Sequence, residues 1–198
     1  NLFGAFEQMP QQKLLERVVR ALDQAAIPYM LTGSLVSSLQ GEPRLTHDID
    51  VVVSVPGGSI DKLLAAFPPP DYHLDEQSVQ RAVEEKSVFN LIDVREGDKV
   101  DFWILTEEPF DRSRFSRRVV TEFLGFKLCV SAPEDTILAK LRWAKLAGGS
   151  EKQMGDALRV YEVQFDRLDH GYLAHWARAL GVEDLLAEIR HGAAVQSP

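Results

Sequence analysis

A single cysteine in 198 residues rules out an intramolecular disulfide. Cys129 lies in the apolar run Phe126-Lys127-Leu128-Cys129-Val130, where a thiol is expected to be buried and to pack as a small hydrophobe. Long hydrophobic runs are lacking too, none approaching the roughly 20 residues of a membrane helix. No basic segment leads into an apolar signal region; the chain starts at Asn1 rather than Met, so a reducing, cytoplasmic location is an expectation carried by the lone thiol. An excess of positive charge is missing as well. Lys and Arg number 22 against 30 Asp and Glu, a net charge of −8, so no overall field draws the chain onto nucleic acid. The densest basic stretch is Arg112, Arg114, Arg117 and Arg118, which reads either as a patch for phosphates or, more ordinarily, as a solvated, salt-bridged loop. What remains is an ordinary globular composition, 45% hydrophobic and 26% charged, in a chain long enough to bury a substantial core.

Leu14, Leu15, Val18, Val19 and Leu22 recur at helical spacing, predicting a helix from about Gln11 to Ala26 that stops before Pro28. Tyr29-Met30-Leu31-Thr32 reads as a short buried strand, followed by Gly33-Ser34 and a brief helix ending near Gly41. Asp48 to Val53 is β-branched and makes a second strand. A helix is expected over Ser59 to Phe67, and Ser78 to Lys86 reads as a helix or an excursion around a site. Phe89 to Asp93 and Lys99 to Leu105 look like neighbouring strands joined through Glu96-Gly97-Asp98. Val119 to Val130 continues as strand with a break at Gly125. From Pro133 to Arg190 the pattern is helical, with Asp169 as a cap and breaks near Gly148-Gly149 and at Gly181. An α+β fold follows, a mixed sheet flanked by helices over residues 1–130 and a helical subdomain over 131–198.

Side chains two apart on a strand share a face, so Asp48 and Asp50 project together while Ile49, Val51 and Val53 face the other way. Two carboxylates aimed at an apolar core would each be costly to desolvate, so they must meet water, a cation or a metal. Asp101 sits between Val100 and Phe102 in a second apolar strand and needs a partner for the same reason. If the two strands are adjacent, the three acids form an oxygen-donor set of the kind that suits Mg²⁺ or Mn²⁺. Gly33-Ser34 at a helix start offers close backbone approach, amides for phosphate and a hydroxyl, although serine is also a common cap with no further role.

Gly33-Ser34, the Asp48-x-Asp50 strand and the strand carboxylate Asp101 occur in the order found in the nucleotidyltransferase superfamily, which shares the catalytic-domain fold of DNA polymerase beta, and the chain resembles that superfamily from about Tyr29 to Asp156. Lys99-Val-Asp101-Phe-Trp103, the helix from Asp135 to Lys140 and a later Asp156 resemble the small bacterial branch that includes AbiEii-type toxins. The Ser34 to Asp48 spacing is longer than in many members, and Gln153-Met154-Gly155 stands where relatives often carry basic residues. The resemblance implies that residues 1–130 are a catalytic domain in which Asp48, Asp50 and Asp101 bind metal, with Asp101 also assisting deprotonation of an acceptor hydroxyl. It assigns Gly33, Ser34 and Lys140 to nucleotide phosphates. Arg44 is either a nucleotide contact or an ion pair bracing Asp48 or Asp50. Lys140, with Arg142, also reads as decoration of a solvated helix face. The implied activity is transfer of a nucleoside monophosphate from an NTP such as ATP to a hydroxyl of RNA, protein or a small molecule. The rival readings are a nucleotide-binding or partner-binding module without turnover, and an RNA-modifying toxin whose partner is an antitoxin; further copies of the chain are another candidate partner. His47 points away from the acids on a strand, His170 and His175 lack zinc-ligand spacing, and Tyr172, Trp143 and Trp176 read as packing.

Overall fold

The computed structural model describes residues 10–43, 48–123 and 125–193. The chain groups into two compact units, one within Asn1–Thr32 and Leu45–Val130, the other within Gly33–Arg44 and Ser131–Pro198. The helix after the first strand therefore belongs with the C-terminal helices, whereas the sequence pattern divides the chain once, at 130/131.

In the first unit, helix α1 (Pro10–Gln24) buries Leu14, Leu15, Val18, Val19 and Leu22, the stripe that its periodicity predicts. Strands β1 (Tyr29–Thr32) and β2 (Asp48–Val53) follow, then α3 (Ile60–Ala66), β3 (Tyr72–His73), α4 (Glu76–Glu85), β4 (Val88–Asp93), β5 (Lys99–Ile104), α5 (Pro109–Ser116), β6 (Val119–Phe123) and β7 (Phe126–Val130); α2 (Gly33–Gln40) lies in the second unit. The strands make one mixed sheet in the order β3-β4-β5-β2-β1-β7-β6. β2 runs parallel to β5 and β1 parallel to β7, while the remaining pairs are antiparallel. The stretch from Ser78 that read as helix or excursion is helical, its start fixed by the Asp75 carboxylate accepting the Ser78 N–H at 2.7 Å.

One sheet face carries Phe89, Leu91, Ile49, Val51, Val100 and Phe102, all 0–2% exposed, with the Phe89 and Phe102 rings stacked at 4.8 Å. Leu63 of α3 and Val79 and Ala82 of α4 are buried in the same unit. Arg17 ties α1 to α3 by donating to the terminal Ala66 carbonyl at 2.8 Å, and its guanidinium lies 4.7 Å from the centre of the Tyr72 ring.

Two expectations are corrected here. The arginine stretch is a loop only in part: Pro109 starts α5, which holds Arg112 and Arg114 and buries Phe110 and Phe115, while Arg117 stands at the helix end and Arg118 follows it. Arg112 pairs with Glu107 at 3.1 Å, Arg114 with Asp111 at 3.1 Å, and Arg118 donates to the Phe115 carbonyl at 2.6 Å while lying over the Phe115 ring. Cys129 is half-buried rather than enclosed, because it alternates along β7 with the buried Leu128 and Val130; its backbone N–H donates to the Tyr29 hydroxyl at 3.4 Å.

The second unit is helical among the described residues. It comprises α2, α6 (Pro133–Leu146), α7 (Glu151–Gln164), a 3₁₀ turn (Phe165–Arg167), α8 (His170–Leu180) and α9 (Glu183–Gly192). Asp169 caps α8 by accepting the Tyr172 N–H at 2.8 Å, and Gly181 ends that helix, both at the positions the sequence marks. α2 packs on α7 through Gly41, where an added Cβ would lie 2.9 Å from the Val160 nitrogen. The Gln40 amide donates to the Ser131 carbonyl at 2.6 Å, and the Gln164 amide to the Gln40 carbonyl at 2.8 Å. The α+β class is as expected, a mixed sheet flanked by helices and followed by a helical C-terminal segment. No helix among the described residues is long and apolar enough to cross a membrane.

Candidate active site

The register of three strands builds one polar row. In the parallel β2–β5 pair Asp50 stands opposite Asp101 and Asp48 opposite Lys99; in the antiparallel β4–β5 pair Asn90 stands opposite Asp101. The alternation of β-strands puts Asp48, Asp50, Lys99, Asp101, Trp103 and Asn90 on the sheet face opposite the Phe89–Phe102 core. Along β2 this face runs from exposed Asp48 through half-buried Asp50 to buried Val52. Its far end is closed by a cluster of Met30, Val52 and Phe115, with Trp103 and Leu105 packed against it. The acids thus occupy the open end of a face whose other end is covered by α5, which is where charge is least costly to keep.

Asp50 and Asp101 each have local partners. The Trp103 indole N–H donates to Asp50 Oδ1 at 3.1 Å, fixing that carboxylate against the strand that carries Asp101. The Asn90 amide donates to Asp101 Oδ1, and the Lys99 ammonium pairs with Asp101 Oδ2 at 2.9 Å. The hydrogen bond to Asp101 holds the Lys99 pKa above its ordinary value; partial burial opposes this, and the charges of Asp101, Asp48 and Asp50 add to it. The donor set is three carboxylates on one face, hard oxygen ligands that suit Mg²⁺ or Mn²⁺. Among the described residues no group of three or more Asp, Glu, His or Cys side chains is arranged as a metal site.

Compared with known proteins, the chain matches no protein-family model and no curated protein. Among solved structures it is similar to ANT(2'')-Ia in complex with adenylyl-2''-tobramycin, at 16% identity over 92% of this chain and 98% of that one, with a TM-score of 0.48. It is also similar to an antigenic nucleotidyltransferase-like protein from Paracoccidioides brasiliensis, at 15% identity over 92% and 94% of the two chains and a TM-score of 0.48. A CCA-adding enzyme in complex with CTP matches at 13% identity over 93% of this chain and 55% of that one, with a TM-score of 0.40.

In the second unit, Gly33 opens α2 with φ at 72°, a backbone setting that glycine enters without the Cβ penalty. Lys140 is not on a solvated face. Its side chain is 6% exposed, and its ammonium pairs with Asp156 at 2.7 Å and donates to the Ser34 hydroxyl at 3.4 Å. Asp135, five residues earlier on α6, turns elsewhere: wholly buried, it accepts the Tyr172 hydroxyl at 2.6 Å and ties α6 to α8. Tyr172 is therefore a buried-carboxylate partner as well as a packing residue. Arg44 and His47 lie outside the described residues.

Sequence reasoning passed over Asn90, Lys99 and Trp103 as polar groups of the site. The signal was present in the hairpin. Once Lys99 and Ile92 are aligned, the parity of an antiparallel pair puts Asn90 against Asp101 and Val88 against Trp103.

Proposed function

We propose that this chain is a metal-dependent nucleotidyltransferase that moves a nucleoside monophosphate from an NTP to a hydroxyl. The observation that carries the reading is the in-register pairing of Asp50 with Asp101 on parallel neighbouring strands, with Asp48 on the same open face. Asp48, Asp50 and Asp101 would hold Mg²⁺ or Mn²⁺, which when bound neutralises phosphate charge and polarises the phosphoryl oxygens. The strand backbone fixes the spacing of the carboxylates, and Trp103 fixes the rotamer of Asp50. The acceptor hydroxyl oxygen bonds to the α-phosphorus, the bond to the β-phosphate oxygen breaks and pyrophosphate leaves. Asp101 is the carboxylate proposed to take the hydroxyl proton. Gly33, Ser34 and Lys140 are proposed for nucleotide phosphate, supported by the reach of the Lys140 ammonium to the hydroxyl at the start of α2. The AbiEii-type branch rests, within this proposal, on the Lys99-Val-Asp101-Phe-Trp103 stretch.

Calorimetry of Mg²⁺-dependent NTP binding, in the natural chain and in Asp48→Asn with Asp50→Asn, tests the site. Loss of binding in the double variant is expected; unchanged binding sinks the proposal. A second reading, a nucleotide-binding module without turnover, is favoured by the engagement of both Asp101 oxygens by Lys99 and Asn90. Incubation with labelled NTP and cell extract, followed by separation of RNA, protein and small molecules, discriminates the two and reports the class of acceptor. Label in any one class supports transfer, and label in none favours the module.

A further inference from the structure

Lys99 opens β5 directly opposite Asp48 and reaches Asp101, so a monovalent cation already stands among the three acids proposed for metal. Among the described residues of this row, three carboxylates and one ammonium leave two negative charges, and a divalent ion added beside Lys99 would meet a like charge. Both cations want the same oxygen, Asp101 Oδ2. The lysine side chain is 42% exposed, against 15% for Asp101, so the ammonium has water to move into while the carboxylate stays anchored by the Asn90 amide. The structure therefore contains a donor set chemically suited to a divalent ion, with a movable charge at the point of conflict.

We propose that Lys99 competes with the divalent cation for Asp101: the ammonium must leave Oδ2 before the three carboxylates can close on an ion, and its hold on Asp101 sets the metal affinity. The inference rests on the nucleotidyltransferase reading of the acids. A competitor lowers apparent affinity by the fraction of molecules in which it has withdrawn. For a partly exposed ion pair that fraction corresponds to roughly two- to sixfold. An arginine at the same place holds a carboxylate through two parallel hydrogen bonds and withdraws less readily.

The experiment is Mn²⁺ binding, read by electron paramagnetic resonance of the free ion, to the natural chain, Lys99→Gln, Lys99→Arg and Asp101→Asn, each first shown to be folded by circular dichroism. Lys99→Gln is expected to bind about two- to sixfold more tightly and Lys99→Arg more weakly than the natural chain. Binding by Lys99→Gln alone would support the inference in its strongest form. Equal or weaker binding by Lys99→Gln, with the natural chain binding and Asp101→Asn not, overturns the competition and leaves the metal site standing. Failure of every form to bind, or binding by Asp101→Asn equal to the natural chain, overturns the underlying reading as well.

Discussion

Lys140 and Asp156 form an ion pair with side chains only 6% and 10% exposed, so removal of one partner takes away the opposite charge that lies 2.7 Å from the other. At 2.7 Å and an effective dielectric of about 20, their Coulomb attraction is about 6 kcal/mol, most of which desolvation offsets. The net worth of the intact pair is therefore small, whereas the cost of breaking it is large. That cost has a ceiling, because the remaining group can neutralise itself. A lysine of ordinary pKa, about 10.4, loses its proton at pH 7 for about 4.6 kcal/mol, and an aspartate of ordinary pKa, about 3.9, gains one for about 4.2 kcal/mol. Asp156→Leu and Lys140→Met should each destabilise the chain by about 3–4 kcal/mol, and the double replacement by about 1 kcal/mol or less, a coupling of several kcal/mol. Urea unfolding followed by tryptophan fluorescence measures all four corners of the cycle. Single costs below about 1 kcal/mol, or a double variant as unstable as the sum of the singles, would refute the claim that the pair is buried and mutually dependent.

Two further outcomes follow from single positions. Gly41→Ala should cost about 1–3 kcal/mol in the same unfolding assay, because the new Cβ would meet only backbone, the Val160 nitrogen at 2.9 Å and the Ser37 oxygen at 3.0 Å, neither of which can swing aside; a neutral result would show that α2 and α7 are not in close contact there. Burial pushes the Tyr29 phenol up to about 12, so the unfolded chain releases this proton first, and its contribution to stability, complete below about pH 10, is lost as pH rises towards 12. Denaturant midpoints measured across that window should fall more steeply for the natural chain than for Tyr29→Phe, and parallel slopes would contradict the assignment.

Much of the fold was legible because its elements announce themselves locally. The α1 stripe, the Asp169 cap, Pro133 at the start of α6 and the alternation of β2 and β5 each follow from spacing within a dozen residues. α5 was not legible: the four arginines in and just after it mask Phe110 and Phe115, and the local charges that pair with Arg112 and Arg114, Glu107 and Asp111, read equally well as a loop. Nor was the grouping of α2 with the C-terminal helices, which depends on a backbone approach at Gly41 more than 100 residues away in sequence from Val160.

The candidate site divides along the same line. Strand parity alone places Asp48 with Asp50, and apolar neighbours on both sides mark Asp101 as an acid that must have a partner. What parity cannot give is which strand stands beside which, and in what register. A shift of β5 by one residue against β2 would send Asp101 into the core with Phe102 taking its place, and the cost of burying that carboxylate is what forbids it. The same energetic term that makes the three acids conspicuous in the sequence thus selects the register that brings Asp50 and Asp101 together. Lys99 and Asn90 were overlooked because a lysine and an asparagine at strand positions are unremarkable until that register aims both at one carboxylate. The chemistry to be tested lies in that convergence, with Lys99 and any incoming cation contending for the same oxygen of Asp101.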